Sequence, residues 1–112
     1  MSFKLLEKCL ASKKAEFYYG AKINKQIKDV YFGIGFLEPK EVKRKVGPGR
    51  GHEEILYLQE GRIKVSIEND SFILEEGELL HIPDKSKALL TNLVDKKSHF
   101  MIAGGHVKHH KH

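Results

Sequence analysis

Tryptophan is absent from this sequence, cysteine occurs once, methionine twice and proline three times. A single cysteine excludes an internal disulfide framework. Cys9 is therefore read as a small core or surface thiol, which suits a reducing, cytoplasmic setting. Nowhere does an unbroken apolar run approach the roughly 18 residues a membrane-spanning helix needs. The apolar patch of the opening MSFKLLEKCLASKK is too short and too interrupted for a secretory signal. Long polar tracts and repeats of 20–50 residues are also missing, which argues against disorder and against a solenoid. No phosphate loop, dinucleotide fingerprint, or Ser/His/Asp or Cys/His arrangement is visible, so nucleophilic and nucleotide-dependent chemistries have no footing.

What is present is a basic, moderately hydrophobic chain. Its 112 residues suit one domain with a single core. The 20 Lys and Arg against 15 Asp and Glu leave a net charge of +5. Lysines spread over the whole length favour a solvated surface over a nucleic-acid footprint. The densest basic run, 40–50, contains Glu41, Val42 and Val46 and reads as an exposed strand edge.

Hydrophobic periodicity points to strands. Ser2 is placed as the cap of a short helix reaching Ala11, with Leu6 and Leu10 on one stripe. Glu16–Tyr19 is aromatic-rich and reads as a strand. In Val30–Leu37 one face carries Val30, Phe32, Ile34 and Phe36, the other Tyr31, Gly33, Gly35 and Leu37. Two glycines on one face mean either a bend or close backbone approach, or a pocket floor. From Glu54 onward the alternation is strong. Arg62–Glu68 is expected to turn at Asn69-Asp70 into Phe72–Glu75, followed by a turn at Glu76-Gly77 and a strand over Glu78–Ile82. Lys87–Leu93 and Ser98–Ala103 are expected to form the last strand pair. Turn signals every eight to twelve residues fit an all-β sandwich or barrel.

The stretch from Gly47 to Pro83 resembles the cupin superfamily, in particular its small single-domain, conserved-barrel members. Glu54 and Gly61 match the E-x6-G half of the first cupin motif. Gly77, Pro83 and Asn92 match the second at the right spacing. The resemblance implies a cupin-like double-stranded β-helix, a jelly-roll barrel, with a core over about 30–104 and a histidine-rich tail over 105–112. It also implies a homodimer, with exchange of an N-terminal strand across it. The departures bear on chemistry. The two histidines of the first motif fall at Pro48 and Arg50, the histidine of the second at Ala88 and its glycine at Lys85. Of the four metal-holding positions only Glu54 remains, and one carboxylate does not hold a transition ion; three or four converging ligands are needed.

Two site readings follow. In the first, the loop Gly47-Pro48-Gly49-Arg50-Gly51-His52 gathers backbone N–H groups beside a guanidinium and an imidazole, apt for a small anion. Arg50, His52, Glu54 and Tyr57 are then the ligand-binding candidates, although glycines that merely turn the chain would look the same. In the second, His52 and Glu54, two apart on one strand face, join His81 in a displaced site for zinc, nickel, manganese or iron. This second reading describes an isomerase, oxygenase or lyase. It depends on Leu80 and Ile82 packing so that His81 faces the cavity; otherwise His81 is only exposed. A third possibility is a purely structural interaction domain. His106, His109, His110 and His112 would bind metal loosely whatever the protein does.

Overall fold

The computed structural model describes residues 2–107; His109, His110 and His112 lie outside them. A short helix, α1 (Leu5–Ala11), precedes nine strands: β1 (Glu16–Tyr19), β2 (Val30–Leu37), β3 (Arg44–Val46), β4 (His52–Glu60), β5 (Arg62–Ile67), β6 (Asp70–Glu75), β7 (Leu79–Ile82), β8 (Ala88–Asn92) and β9 (Ser98–His106). All pairings are antiparallel. They build a five-stranded sheet in the order β1-β2-β9-β4-β7 and a four-stranded sheet in the order β3-β8-β5-β6. This is the all-β jelly-roll barrel that the alternation and the motif halves imply.

The core lies between the sheets. Leu37, Leu56, Leu58, Leu80, Ile82, Phe100 and Ile102 come from the larger sheet, and Val46, Ile63, Val65, Leu74, Ala88 and Leu90 from the smaller. Strands β4, β5 and β8 and the first half of β9 bury every second side chain, so the period-2 pattern accounts for their packing directly. A second, smaller cluster joins Cys9 and Ala15 to Phe36 on the outer face of β2.

Several sequence expectations need correction. The helix starts at Leu5, after Lys4, without a side-chain cap, and Ser2 lies outside it. Its Leu6 and Leu10 are exposed. The helix leans on β2 through Cys9 instead, whose thiol faces the Ile34 carbonyl at 3.6 Å. The β5–β6 hairpin turns through Glu68 and Asn69, one residue early, because Ile67 pairs with Asp70 and Glu68 adopts φ +54°. Strand β9 continues to His106, beyond the expected start of the tail. The last two strands are not partners: β8 pairs with β3 and β5, whereas β9 pairs with β2 and β4. The basic run does hold an edge strand, β3, at the rim of the smaller sheet.

Asn92 fixes the crossing from β8 to β9. Its amide donates to the carbonyls of Glu38 (2.9 Å) and Lys96 (2.8 Å), and its oxygen accepts from the Ser98 hydroxyl (2.7 Å) and the Val94 N–H (3.2 Å). All this occurs at a side chain only 2% exposed. Asn92→Ala would leave these groups unpartnered in the interior. The expected loss is about 2–4 kcal/mol, since several buried groups each forfeit a hydrogen bond. Urea unfolding measures it; a loss below about 0.5 kcal/mol would contradict this role.

Candidate functional site

Three rows across the inner face of the larger sheet share one device. Tyr31, Gly104, Glu54 and Ile82 are cross-strand neighbours in the first row, Tyr18, Gly33, Ile102, Leu56 and Leu80 in the second, and Glu16, Gly35, Phe100 and Leu58 in the third. Each row contains one glycine, and a neighbouring ring lies where its side chain would be. A methyl group at Gly104 would overlap the Tyr31 ring, one at Gly33 the Tyr18 ring, and one at Gly35 the Phe100 ring. The glycines of β2 are therefore close-approach positions, and two of the rings laid over this floor become walls of a cavity.

The cavity has a volume of about 600 Å³ and opens at the end of the barrel where β4 begins and β9 ends. Tyr18, Tyr31, Glu54, His52, His106 and Gly47 line it, with Lys22, Lys28, Lys45 and Lys87 among its residues. Glu54 is 4% exposed. Its Oε2 accepts a hydrogen bond from the Tyr31 hydroxyl at 2.5 Å, while its Oε1 has no protein partner. Burial pushes the Glu54 carboxyl above its ordinary value. The Tyr31 hydrogen bond, the Lys87 ammonium and His52 pull it back in part, and Glu16 adds to the rise. The Tyr31 phenol is pushed up by burial and by its bond to Glu54.

The other carboxylates of the cavity are partnered. Glu16 accepts from the Tyr18 hydroxyl at 2.8 Å and from Arg44 at 2.9 Å. Arg44 also pairs with Glu41, at 2.6 Å through Nε. Asp29 meets His106 Nδ1 at 3.2 Å. At the rim the rings of His52 and His106 stand 4.2 Å apart, a consequence of their facing positions on β4 and β9. The glycine-rich loop is tied down rather than opened toward a ligand. The Gly51 N–H donates to Asp84 at 2.9 Å, Pro48 is buried, and the Pro48 carbonyl accepts from Lys87.

Of the residues singled out from sequence, His52 and Glu54 come together in this cavity, and the others do not. Arg50 is exposed and lies off the cavity wall; its carbonyl meets His52 Nδ1 at 3.0 Å. Positive charge comes from lysines instead. Tyr57 lies on the outer face of β4, because the strand alternates and Glu54, Leu56 and Leu58 take the inner one. Leu80 and Ile82 point into the core, so His81 faces outward and pairs with Glu53 at 2.8 Å. The set His52, Glu54 and His81 therefore does not converge and does not fit a metal ion. Among the described residues no three His, Cys, Asp or Glu side chains gather closely enough to hold one. The residues missed as site members are Tyr18, Lys45, Lys87 and His106. The glycines facing Tyr18 and Tyr31 were the available signal, since an inward glycine beside an aromatic leaves room for its ring.

No protein-family model matches the chain, and no curated protein matches it. Solved structures do. A cupin protein of Bacteroides fragilis superposes with a TM-score of 0.66 at 15% identity, over 91% of this chain and 85% of that one. KdgF of a Halomonas species gives 0.60 at 18% identity, over 71% of each chain. The cupin domain of Cnp3 from Schizosaccharomyces pombe gives 0.63 at 11% identity, over 70% of this chain. The chain spans 57% of that domain's length. At such identities the likeness shows the cupin fold, and nothing about ligand or reaction.

The raised carboxyl of Glu54 gives a pH signature. A carboxyl whose folded value lies above its unfolded one has no ionisation cost below the unfolded value, about pH 4. The cost grows as pH rises toward the folded value and is constant above it. Glu54→Gln keeps the acceptor for Tyr31 and removes this cost. The variant is therefore expected to gain stability relative to the unmodified protein as pH rises from about 3 to 7. Urea unfolding across that range measures the difference; a stability gap independent of pH would rule out the shift.

Proposed function

We propose that the barrel is a binding module for a small anionic molecule held in the cavity at its open end. The observation that carries this reading is a cavity of about 600 Å³ with exposed lysines at its mouth and an almost fully buried carboxyl, half unpartnered, in its wall. Its size falls within the usual range of about 300–1,000 Å³ for small-molecule pockets. Exposed ammonium groups around a concave mouth focus a positive field and favour entry of anions. Lys87 is the lysine nearest the chemistry, since it acts electrostatically on Glu54 and anchors to the Pro48 carbonyl. The free thiol of Cys9 accords with a cytoplasmic location.

A thermal-shift screen of small carboxylates and phosphates tests the reading, because a ligand specific for the native state raises the melting temperature. The Lys45→Ala, Lys87→Ala double variant is expected to weaken binding about tenfold or more and Arg50→Ala to leave it unchanged. A panel that produces no shift, or a shift that survives loss of both lysines, would remove the anion site.

A homodimer also belongs to this reading. The outer face of the five-stranded sheet exposes Val30, Phe32, Ile55, Tyr57 and Leu79. The row Ile34-Met101-Tyr57-Leu79 runs across four strands in register, beside Phe32-Ala103-Ile55. A contiguous apolar surface of this kind commonly marks an interface. In this chain β1 pairs with its own β2, so the face supports association without exchange of that strand. Light scattering is expected to return twice the chain mass for the unmodified protein and the single mass for Ile55→Lys. Monomer for the unmodified chain at tens of micromolar, on the order of weak-complex affinities, would dismiss this pairing.

A further inference from the structure

The distribution of partnered and unpartnered groups in the cavity says more than that an anion binds. Charge is arranged in depth. The ammonium groups of Lys22, Lys28, Lys45 and Lys87 belong to exposed residues, whereas Glu54 is 4% exposed. An anionic group carried inward would meet an acceptor-rich carboxyl in a water-poor setting, where repulsion is strongest. The same carboxyl needs a donor: Oε2 receives one from Tyr31 and Oε1 receives none from the protein. A buried polar atom left so is costly and is satisfied by a ligand or a water. The tyrosine rings beside it offer apolar faces suited to C–H groups, and the Tyr18 and Tyr31 hydroxyls already donate to carboxylates of the protein.

From this arrangement we infer that the ligand has two unlike ends: a hydroxyl-bearing carbon chain that enters first and donates to Glu54, and a carboxylate or phosphate that stays at the lysine rim. The class is a polyhydroxylated anion. Hydroxyls supply the donor that Oε1 lacks, their carbons cover Tyr31, and the terminal charge remains where solvent and ammonium groups both reach it. The inference rests on the anion-binding reading above and adds an orientation and a demand for hydroxyls.

Calorimetric titration with three six-carbon probes tests it: gluconate has both ends, hexanoate has only the charge, and sorbitol has only the hydroxyls. Gluconate is expected to bind about tenfold or more tightly than either single-ended probe, the ratio one buried hydrogen bond supplies. Glu54→Ala should reduce gluconate to the level of hexanoate. Glu54→Gln keeps the side-chain shape and the oxygen that Tyr31 uses but puts an N–H donor where Oε1 stood, so it is expected to lose most of the preference; a folded Glu54→Gln that keeps it in full would overturn the role of Oε1. Equal binding of gluconate and hexanoate would overturn the two-ended ligand while leaving an anion site in place. Equal binding of gluconate and sorbitol, or no binding of any probe, would overturn both. Sorbitol 6-phosphate, which like gluconate is charged at one end only, is expected to bind more tightly than sorbitol and, compared with gluconate, identifies whether the rim prefers a phosphate or a carboxylate; binding no tighter than sorbitol for both would overturn the charged end of the ligand.

Discussion

The hydrogen bond from Tyr31 to Glu54 spans a strand that has no side chain at the crossing point. Gly104 lies between them in the register, and any larger residue there would push the Tyr31 ring away from the carboxyl. One glycine thus determines whether an acid in the wall of the barrel is buried with a partner or without one. The ring in turn forms the cavity wall next to His52, at a centroid separation of 5.9 Å, and meets Tyr18 edge-on at 6.1 Å. The open half of the barrel is organised outward from this contact. Its closed half is organised by Phe100 lying over Gly35 and by Asn92 and Ser98 below.

Two acids that line the cavity, Glu54 buried and Glu16 partly buried, are treated in opposite ways. Glu16 sits between a guanidinium and a phenol, and Arg44 is itself held by Glu41 and the Phe36 carbonyl. That network is closed: burial is offset by paired charges and satisfied hydrogen bonds, which orders β1 against the β3 edge. Glu54 has no cation in hydrogen-bond contact. The Lys87 ammonium acts on it electrostatically but is anchored elsewhere. A fold that satisfies one carboxylate completely and leaves its neighbour half-satisfied has placed its incomplete group in the cavity, where a ligand can complete it.

The barrel was legible in the sequence because its information is local. Alternation in Val30–Leu37 and Arg62–Ile67, and turn residues such as Gly77, write strands and hairpins directly. The motif halves around Glu54, Gly61, Gly77, Pro83 and Asn92 set their order. Cross-sheet facts were less accessible. Lys87–Leu93 and Ser98–Ala103 look like a hairpin, yet Asn92 sends them to opposite sheets through contacts with Glu38 and Lys96 that no spacing displays. For the site, parity along β4 put His52 and Glu54 on one face. The same parity sends Tyr57 to the other face once Glu54 faces inward, and choosing Tyr57 as a ligand-binding candidate overlooked it. Parity alone did not orient β7, so His81 stayed open until Leu80 and Ile82 were seen in the core. Arg50 was attractive by type and position, but a loop residue's direction is set by contacts such as Gly51 with Asp84, which are long-range. Lysines were discounted as solvated surface, and they are solvated; what the sequence hides is that four of them share one mouth.

At the positions where the cupin motifs carry histidines, this sequence has residues that pack in the interior or face solvent. Pro48 is buried within the glycine loop, Arg50 is exposed and off the cavity wall, and Ala88 is a fully buried methyl of the core opposite Val46 and Ile67. Each of the three is packed or exposed, so none leaves a second unsatisfied side-chain group beside Glu54. Glu54 alone keeps its inward course, because β4 must continue burying Leu56 and Leu58 in phase with it. Turning Glu54 outward would require shifting the strand by one residue, which would expose the core side chains with it. The carboxyl is therefore held in the cavity by the register of the barrel, and Tyr31, seated on Gly104, is the neighbour that makes its burial tolerable in the absence of converging ligands.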